Sequence, residues 1–169
     1  MRHTPAVAVP RPSSRVLVVD LTGRVLMLGI VLAARSRTIW ILPGGGAEPS
    51  EDPCQTAQRE LSEETGLAVT PAELGQPVAH TSGCWTSTEG VEYFTDQTFF
   101  VVHVDKFEPD SSGFTELERE VVSEFRWWSA DEMDATDEVV YPDGLSALVR
   151  RVASGDIPVP PIELIWSTP

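Results

Sequence analysis

The sequence predicts an α/β fold in which helices cover a mixed β-sheet. Short apolar runs bounded by turn residues recur between Arg15 and Trp128, which is the mark of strands. Two longer segments, Pro53–Thr65 and Pro142–Ala153, carry helical periodicity instead. Strands with helices between and after them pack as a sheet with helices laid on it. A chain of 169 residues suits one domain with a substantial core.

Each element follows in order. Residues 1–14 are rich in Pro, Arg and Ser and read as a disordered leader without a secretory signal. Arg15–Asp20 and Arg24–Ala34 read as strands around a Leu21-Thr22-Gly23 turn, apolar on both faces and therefore buried. Thr38–Leu42 reads as a third strand, stopped by Pro43 and three glycines. Pro53–Thr65 has the fullest set of helix signals: Asp52 suits the N-cap, Pro53 the first position and Gly66 the C′ position. Pro77–Trp85 and Val91–Val104 read as a hairpin or meander turning at Thr86–Gly90. Ser123–Trp128 is a further strand, and its adjacent Trp127 and Trp128 must face opposite ways. Asp131–Met133 opens a short helical turn. In Pro142–Ala153, Leu145, Leu148, Val149 and Val152 share one helix face. The domain is thus expected over 15–156. The tail, 157–169, is extended, and its apolar stretch Ile157–Trp166 packs on its own core or across a homodimer interface.

Composition narrows the function. Hydrophobic residues make up 41% and charged residues 22%, ordinary for a globular chain. The net charge of −14 argues against nucleic-acid polymers and anionic membranes as partners. It is compatible with a small anionic substrate once a bound cation supplies positive charge. No apolar run approaches the roughly 20 residues of a membrane span. Cys54 and Cys84 are the only cysteines and read as reduced thiols in a cytoplasmic protein.

The chemistry lies between Pro43 and Leu67. On a helical wheel Cys54, Ala57 and Leu61 form the docking face, with Glu60, Glu63 and Glu64 beside it at i, i+3 and i+4. Each like-charged i, i+4 pair costs a helix about 0.2–0.5 kcal/mol. A hard divalent cation turns that repulsion into coordination. The plain alternative, a solvated acidic face, is the usual fate of helical glutamates.

The surrounding residues decide against it. The segment resembles the Nudix box, G-x5-E-x7-R-E-U-x-E-E-x-G-U, with U a bulky aliphatic residue. Gly45, Glu51, Arg59, Glu60, Leu61, Glu63, Glu64, Gly66 and Leu67 fill every specified position. A chance match in this length has odds of roughly 10⁻⁷ or below at average residue frequencies. The resemblance implies the family's α/β/α sandwich. It also implies hydrolysis of a phosphoanhydride bond in a small nucleotide or other diphosphate metabolite, with Mg²⁺ or Mn²⁺ as cofactor. Glu60, Glu63 and Glu64 match the metal-binding glutamates, with Glu63 and Glu64 also candidate catalytic groups. The carbonyl of Gly44 matches a backbone ligand. Arg59 and Glu51 match residues that brace the loop and helix, and Gly45 and Gly66 match positions kept small. Ser50 stands where many members have Gly, and is expected to alter loop stiffness only. A downstream glutamate supplies the base in some members; here Glu120 is the first choice and Glu118 the second.

For substrate contacts the candidates are Arg35 and Arg37 toward phosphate, and Trp40, Trp85 and Tyr93 toward a base. For each, plain surface charge or packing is the competing explanation, and His80, His103 and Cys54 read as structural. Secondary signatures that mark particular substrates in the family are missing: Ser82 and Gly83 replace a proline, Cys84 and Trp85 a tyrosine. Of an upstream Leu-Leu-Thr-x-Arg-Ser element only Arg35-Ser36 matches. Two rival readings remain: a non-catalytic nucleotide sensor, which would have degraded glutamates, and a diphosphate isomerase, which would need Cys84 in its pocket.

Overall fold

The computed structural model describes residues 8–32, 37–87, 89–105 and 107–167. Its strands are β1 (Val9–Pro10), β2 (Ser13–Val19), β3 (Val25–Leu32), β4 (Arg37–Ile41) and β5 (Gly44–Gly46). Then come β6 (Ala79–Thr86), β7 (Glu92–His103), β8 (Val122–Trp128), β9 (Val139–Val140) and β10 (Ile162–Glu163). The helices are α1 (Pro53–Thr65), α2 (Pro71–Leu74), α3 (Glu116–Val121), α4 (Ala130–Ala135) and α5 (Leu145–Ala153). All strands join one sheet in the order β10-β6-β7-β2-β3-β4-β9, with β1 on β7, β5 on β2 and β8 on β3. β2 pairs with β7 in parallel, whereas β6–β7 and β3–β4 are antiparallel, so the sheet is mixed as the sequence predicts.

Central strand β2 explains the layering. Leu17 and Val19 enter one core with Met133 of α4 and Leu145, Leu148, Val149 and Val152 of α5. Val16 and Val18 enter the other with Ala57 and Leu61 of α1 and Leu74 of α2. Successive side chains point to opposite faces. A strand covered on both faces reads as a continuous apolar run, which is how Arg15–Asp20 reads. Trp127 and Trp128 divide in the same way: Trp128 is 1% exposed in the α5-side core, and Trp127 packs partly buried against the α1 side.

Helix α1 has the bounds its sequence predicts. Asp52 accepts from the Gln55 N–H, Gln55 returns a bond to the Asp52 N–H, and Gly66 closes the helix at φ 75°. The last helix starts later than expected, at Leu145, because Gly144 at φ 82° is left-handed and cannot continue a helix from Pro142. Three short helices, α2, α3 and α4, begin with one device: Thr70–Glu73, Thr115–Glu118 and Ser129–Glu132 are reciprocal capping boxes.

The leader boundary after Ser14 needs correction. Val9–Pro10 pairs with Tyr93–Phe94, and Ser13 and Ser14 are buried within β2. Ladder hydrogen bonds there outweigh a composition that reads as disordered. At the other end, β10 adds to β6 in parallel, Leu164 is buried, and Asp143 bridges to Ile165. Trp166 lies flat on Gly83, where an added Cβ would come within 2.2 Å of the indole. Among the described residues no helix is long and apolar enough to cross a membrane.

Candidate active site

Helix α1 places Glu60 and Glu64 one turn apart, beside the face that docks on the sheet. Both are buried, at 8% and 6% exposure. A third carboxylate arrives from α3: one oxygen each of Glu60, Glu64 and Glu118 lie within 4.8 Å of one another. The loop before α3 is pinned to the end of α1. The Asp110 N–H donates to the Thr65 carbonyl at 2.8 Å, and a Cβ on Gly113 would meet the Glu63 carbonyl oxygen at 2.4 Å. Glu118 then folds back onto its own cap, accepting from the N–H and hydroxyl of Thr115 at 2.7 Å each.

This geometry reorders the candidates. Glu118 and Glu120 are two residues apart, about 200° around a helix, so only one can face α1. Glu118 does, and Glu120, the first choice, is exposed outside the cluster. Glu63 also lies outside it: its exposed carboxylate accepts from Arg59 Nη1 at 3.1 Å. The sequence signal that singles out Glu118 is the Thr-x-x-Glu capping box, which aims the third residue of a helix back toward its start.

Gly44 links the cluster to the sheet. Its N–H donates to Glu64 Oε2 at 2.6 Å. Its carbonyl, expected as a metal ligand, accepts from Arg15 Nη1, so the amide rather than the carbonyl ties Gly44 to the carboxylates. At φ 135°, with a Cβ only 2.0 Å from the Ser14 carbonyl oxygen, this position admits glycine alone. A Cβ on Gly45 would lie 2.5 Å from Glu60 Oε1.

Arg59 braces the loop against the helix. Its Nε and Nη2 grip Glu51 at 2.7 and 3.0 Å, Nη2 also reaches the Gly46 carbonyl at 2.9 Å, and Nη1 reaches Glu60 at 3.0 Å. The guanidinium, with the Glu48 N–H, pushes the Glu51 carboxyl down to about 2. Just before Glu51, Ser50 adopts φ 74°, the left-handed conformation that glycine accepts freely. Ser50→Gly is therefore expected to leave stability unchanged or raise it by up to about 1 kcal/mol. A clear fall in melting temperature would contradict that reading of the loop.

Burial raises the Glu60 pKa and pushes that of Glu64 up to about 8, against the opposing pull of Arg15 and the Gly44 N–H on Glu64. Three convergent carboxylates, two of them buried against their charge, are a donor set that fits Mg²⁺ or Mn²⁺. A pH effect follows for the protein in chelator. The folded state holds the Glu64 proton to higher pH than the unfolded chain does, so stability falls as pH rises from about 4.5 toward about 8. Melts in EDTA should drop by several degrees between pH 6 and 8.5, and a flat profile would remove Glu64 as the cause.

The other expected contacts fare unevenly. Trp40 is not available to a substrate: it is 1% exposed, edge-on to Trp128 in the core, because β4 turns it toward α5 rather than outward. Trp85 is partly exposed, stacked on Tyr93 at 4.9 Å with the Arg11 guanidinium over both rings. Arg37 opens β4 with an exposed side chain, and Arg35 lies outside the described residues. Cys84 is exposed on β6, outside the carboxylate cluster, which removes the support for an isomerase.

Sequence reasoning missed a tight, mostly apolar crevice beside the carboxylates. Arg15, Gln97 and Tyr141 line it with Ile41, Leu42, Phe99 and Pro142. Burial lowers the Arg15 pKa, opposed by the negative charges of Glu64 and Glu60. The available signal was a charged residue opening an apolar strand on a parity that faces inward.

A family model described as the NUDIX domain matches residues 9–147. Among solved structures, the MutT protein from Methanosarcina mazei Go1 is similar over 88% of this chain and 96% of its own, with 18% identity and a TM-score of 0.61. A NUDIX hydrolase from Nitrosomonas europaea is similar over 88% and 91%, with 21% identity and a TM-score of 0.58. An Ap4A hydrolase from C. elegans is similar over 86% and 96%, with 15% identity and a TM-score of 0.54. At these identities the structures share the fold.

Proposed function

The chain belongs to the Nudix family of hydrolases, and on that premise we propose that it is a divalent-metal-dependent pyrophosphohydrolase. Its substrate is a nucleoside triphosphate or a nucleoside diphosphate-linked small molecule, cut at a phosphoanhydride bond. The observation that carries this reading is the convergence of Glu60, Glu64 and Glu118. Intact carboxylates favour the enzyme over a nucleotide sensor, for which degraded ones are the expected mark. Cys54 and Cys84 are free thiols, in keeping with a cytoplasmic enzyme.

Glu60 and Glu64 would hold Mg²⁺ or Mn²⁺ beside Glu118, and the ion when bound would neutralise charge on the diphosphate oxygens. Arg59 restrains Glu60 and Glu63 so that the helix presents its carboxylates in one arrangement. Glu118, partly exposed at the edge of the cluster, accepts the proton of the attacking water. The water oxygen bonds to one phosphorus, the bridging P–O bond breaks, and the second phosphate leaves with its substituent.

The test is phosphate and pyrophosphate release from a panel of nucleotides and diphosphate metabolites, with Mg²⁺, with Mn²⁺ and with EDTA. Turnover of one class that EDTA abolishes is the expected result. No turnover across the panel, with tight nucleotide binding in EDTA, would replace the enzyme by the sensor. The assignment of the base has its own outcome. Glu118→Gln is expected to lower kcat by about 10²–10⁴-fold, and Glu120→Gln to leave it within about twofold. The reverse order would restore Glu120.

A further inference from the structure

Arg15 stands beside the carboxylate cluster without belonging to it. It lies near the start of β2, opposite Gly44 in the register of β2 and β5. Its Nη1 donates to the Leu42 carbonyl at 3.0 Å and to the Gly44 carbonyl. Its Nε is buried and makes no hydrogen bond among the described residues. The charges of Glu64 and Glu60 are nonetheless close enough to favour its charged form. Arginine seldom sits inside a protein unless it is paired. This one gives its bonds to neutral backbone where β4 turns into β5, so what it holds is that turn.

The turn is where the sheet meets Glu64. Three successive carbonyls are held there: Leu42 and Gly44 by Arg15, and Pro43 between them by the Val16 N–H at 2.9 Å. In a trans peptide the N–H points opposite to the C=O. Holding the Pro43 carbonyl toward β2 therefore aims the Gly44 N–H away from β2, and it meets Glu64 Oε2 at 2.6 Å. Gly44, at φ 135°, has no side chain to resist rotation of the peptides around it. The two bonds from Arg15 supply that resistance, one on each side of the peptide that reaches Glu64.

We propose that Arg15 is a positioning residue for Glu64: by pinning the carbonyls on both sides of the Pro43–Gly44 peptide, it keeps the Gly44 N–H on that carboxylate and so presents Glu64 to a divalent cation in one orientation. This rests on the metal-binding reading of Glu64, and its test does not require hydrolysis. The full chain would be compared with Arg15→Lys and Arg15→Met. Lysine keeps the charge, but its amine stops one bond short of Nη1 and cannot span both carbonyls. Hydrogen exchange at the Gly44 N–H would be followed by NMR in EDTA. Mn²⁺ affinity of the metal-free protein would be measured by calorimetry. Both are read well below each protein's melting temperature, where a purely structural role would leave the affinity unmoved. Gly44 should be protected in the wild type and about tenfold less so in both variants. Arg15→Lys should bind Mn²⁺ about 10–100-fold more weakly than the wild type. Rapid exchange at Gly44 in the wild type, unchanged protection in the variants, or wild-type Mn²⁺ affinity in Arg15→Lys would overturn the proposal. If the lysine variant does not fold, exchange at Gly44 in Arg15→Met decides by the same criterion. A wild type that binds no Mn²⁺, yet loses Gly44 protection in both variants, would sink the metal reading of Glu64 while upholding the hold of Arg15 on Gly44.

Discussion

Glu64→Gln should lower kcat by about 10³-fold or more, since the several kcal/mol of charge stabilisation at the phosphates needs a charged ligand there. The amide oxygen can still accept the Gly44 N–H that reaches Glu64 at 2.6 Å, so the loop keeps its anchor. Burial already favours the uncharged form of this carboxyl and pushes its pKa up to about 8. In EDTA at pH 8.5 the variant should accordingly melt at or above the wild type. Addition of Mg²⁺ should raise the wild-type melting temperature and leave the variant's nearly unmoved. Loss of activity with a lower melting temperature in EDTA would mean that the charge of Glu64 supports the fold, contrary to its burial.

Arg59→Met carries the largest expected effect on stability. Its guanidinium is the shared partner of Glu51, Glu60 and Glu63 and of the Gly46 carbonyl. Removing it leaves like charges facing each other without a counterion. Full burial would make this cost about 3–5 kcal/mol, and partial exposure brings it to about 2–3. The melting temperature should fall by roughly 4–12 °C. Activity should fall about 10–100-fold as Glu60 loses its orientation. Arg59→Lys should recover little, because one ammonium cannot grip both Glu51 oxygens while also reaching Gly46 and Glu60. Chemical and thermal melts on both variants decide it, and a fully rescued lysine variant would reduce the network to a single point charge.

The parts of the fold that sequence made legible are those governed by short-range rules. Asp52, Pro53 and Gly66 delimit α1 because caps act within one turn, and the unbroken apolar run along β2 reports a strand buried on both faces. Glu60 and Glu64 were legible through the resemblance of their segment to the Nudix box, since helical spacing alone fits a solvated acidic face equally well. Harder to read were groups whose role depends on register between distant strands. Trp40 looks like a base-stacking candidate until β4 is seen to turn it against Trp128. Arg15, Gln97 and Tyr141 meet only because three separate segments converge. The choice between Glu118 and Glu120 was available locally, in the Thr115 capping box, whereas the resemblance to family members drew attention to Glu120 first. Val9–Pro10 reads as disordered because two residues of edge pairing carry no periodic signal.

The central parallel pairing sets an order of events for the growing chain. β2 cannot close its ladder with β7, Arg15 against Phe99, until that later strand has been made. Such distant closure is slow, since loop entropy is lost before contacts reward it. β2 meanwhile lacks the α4 and α5 cover of its Leu17 and Val19 face, the condition in which chains associate wrongly. Glu118 is later still in synthesis. Ion capture at the proposed site would therefore wait for that segment, after β2 and α1 have already been made.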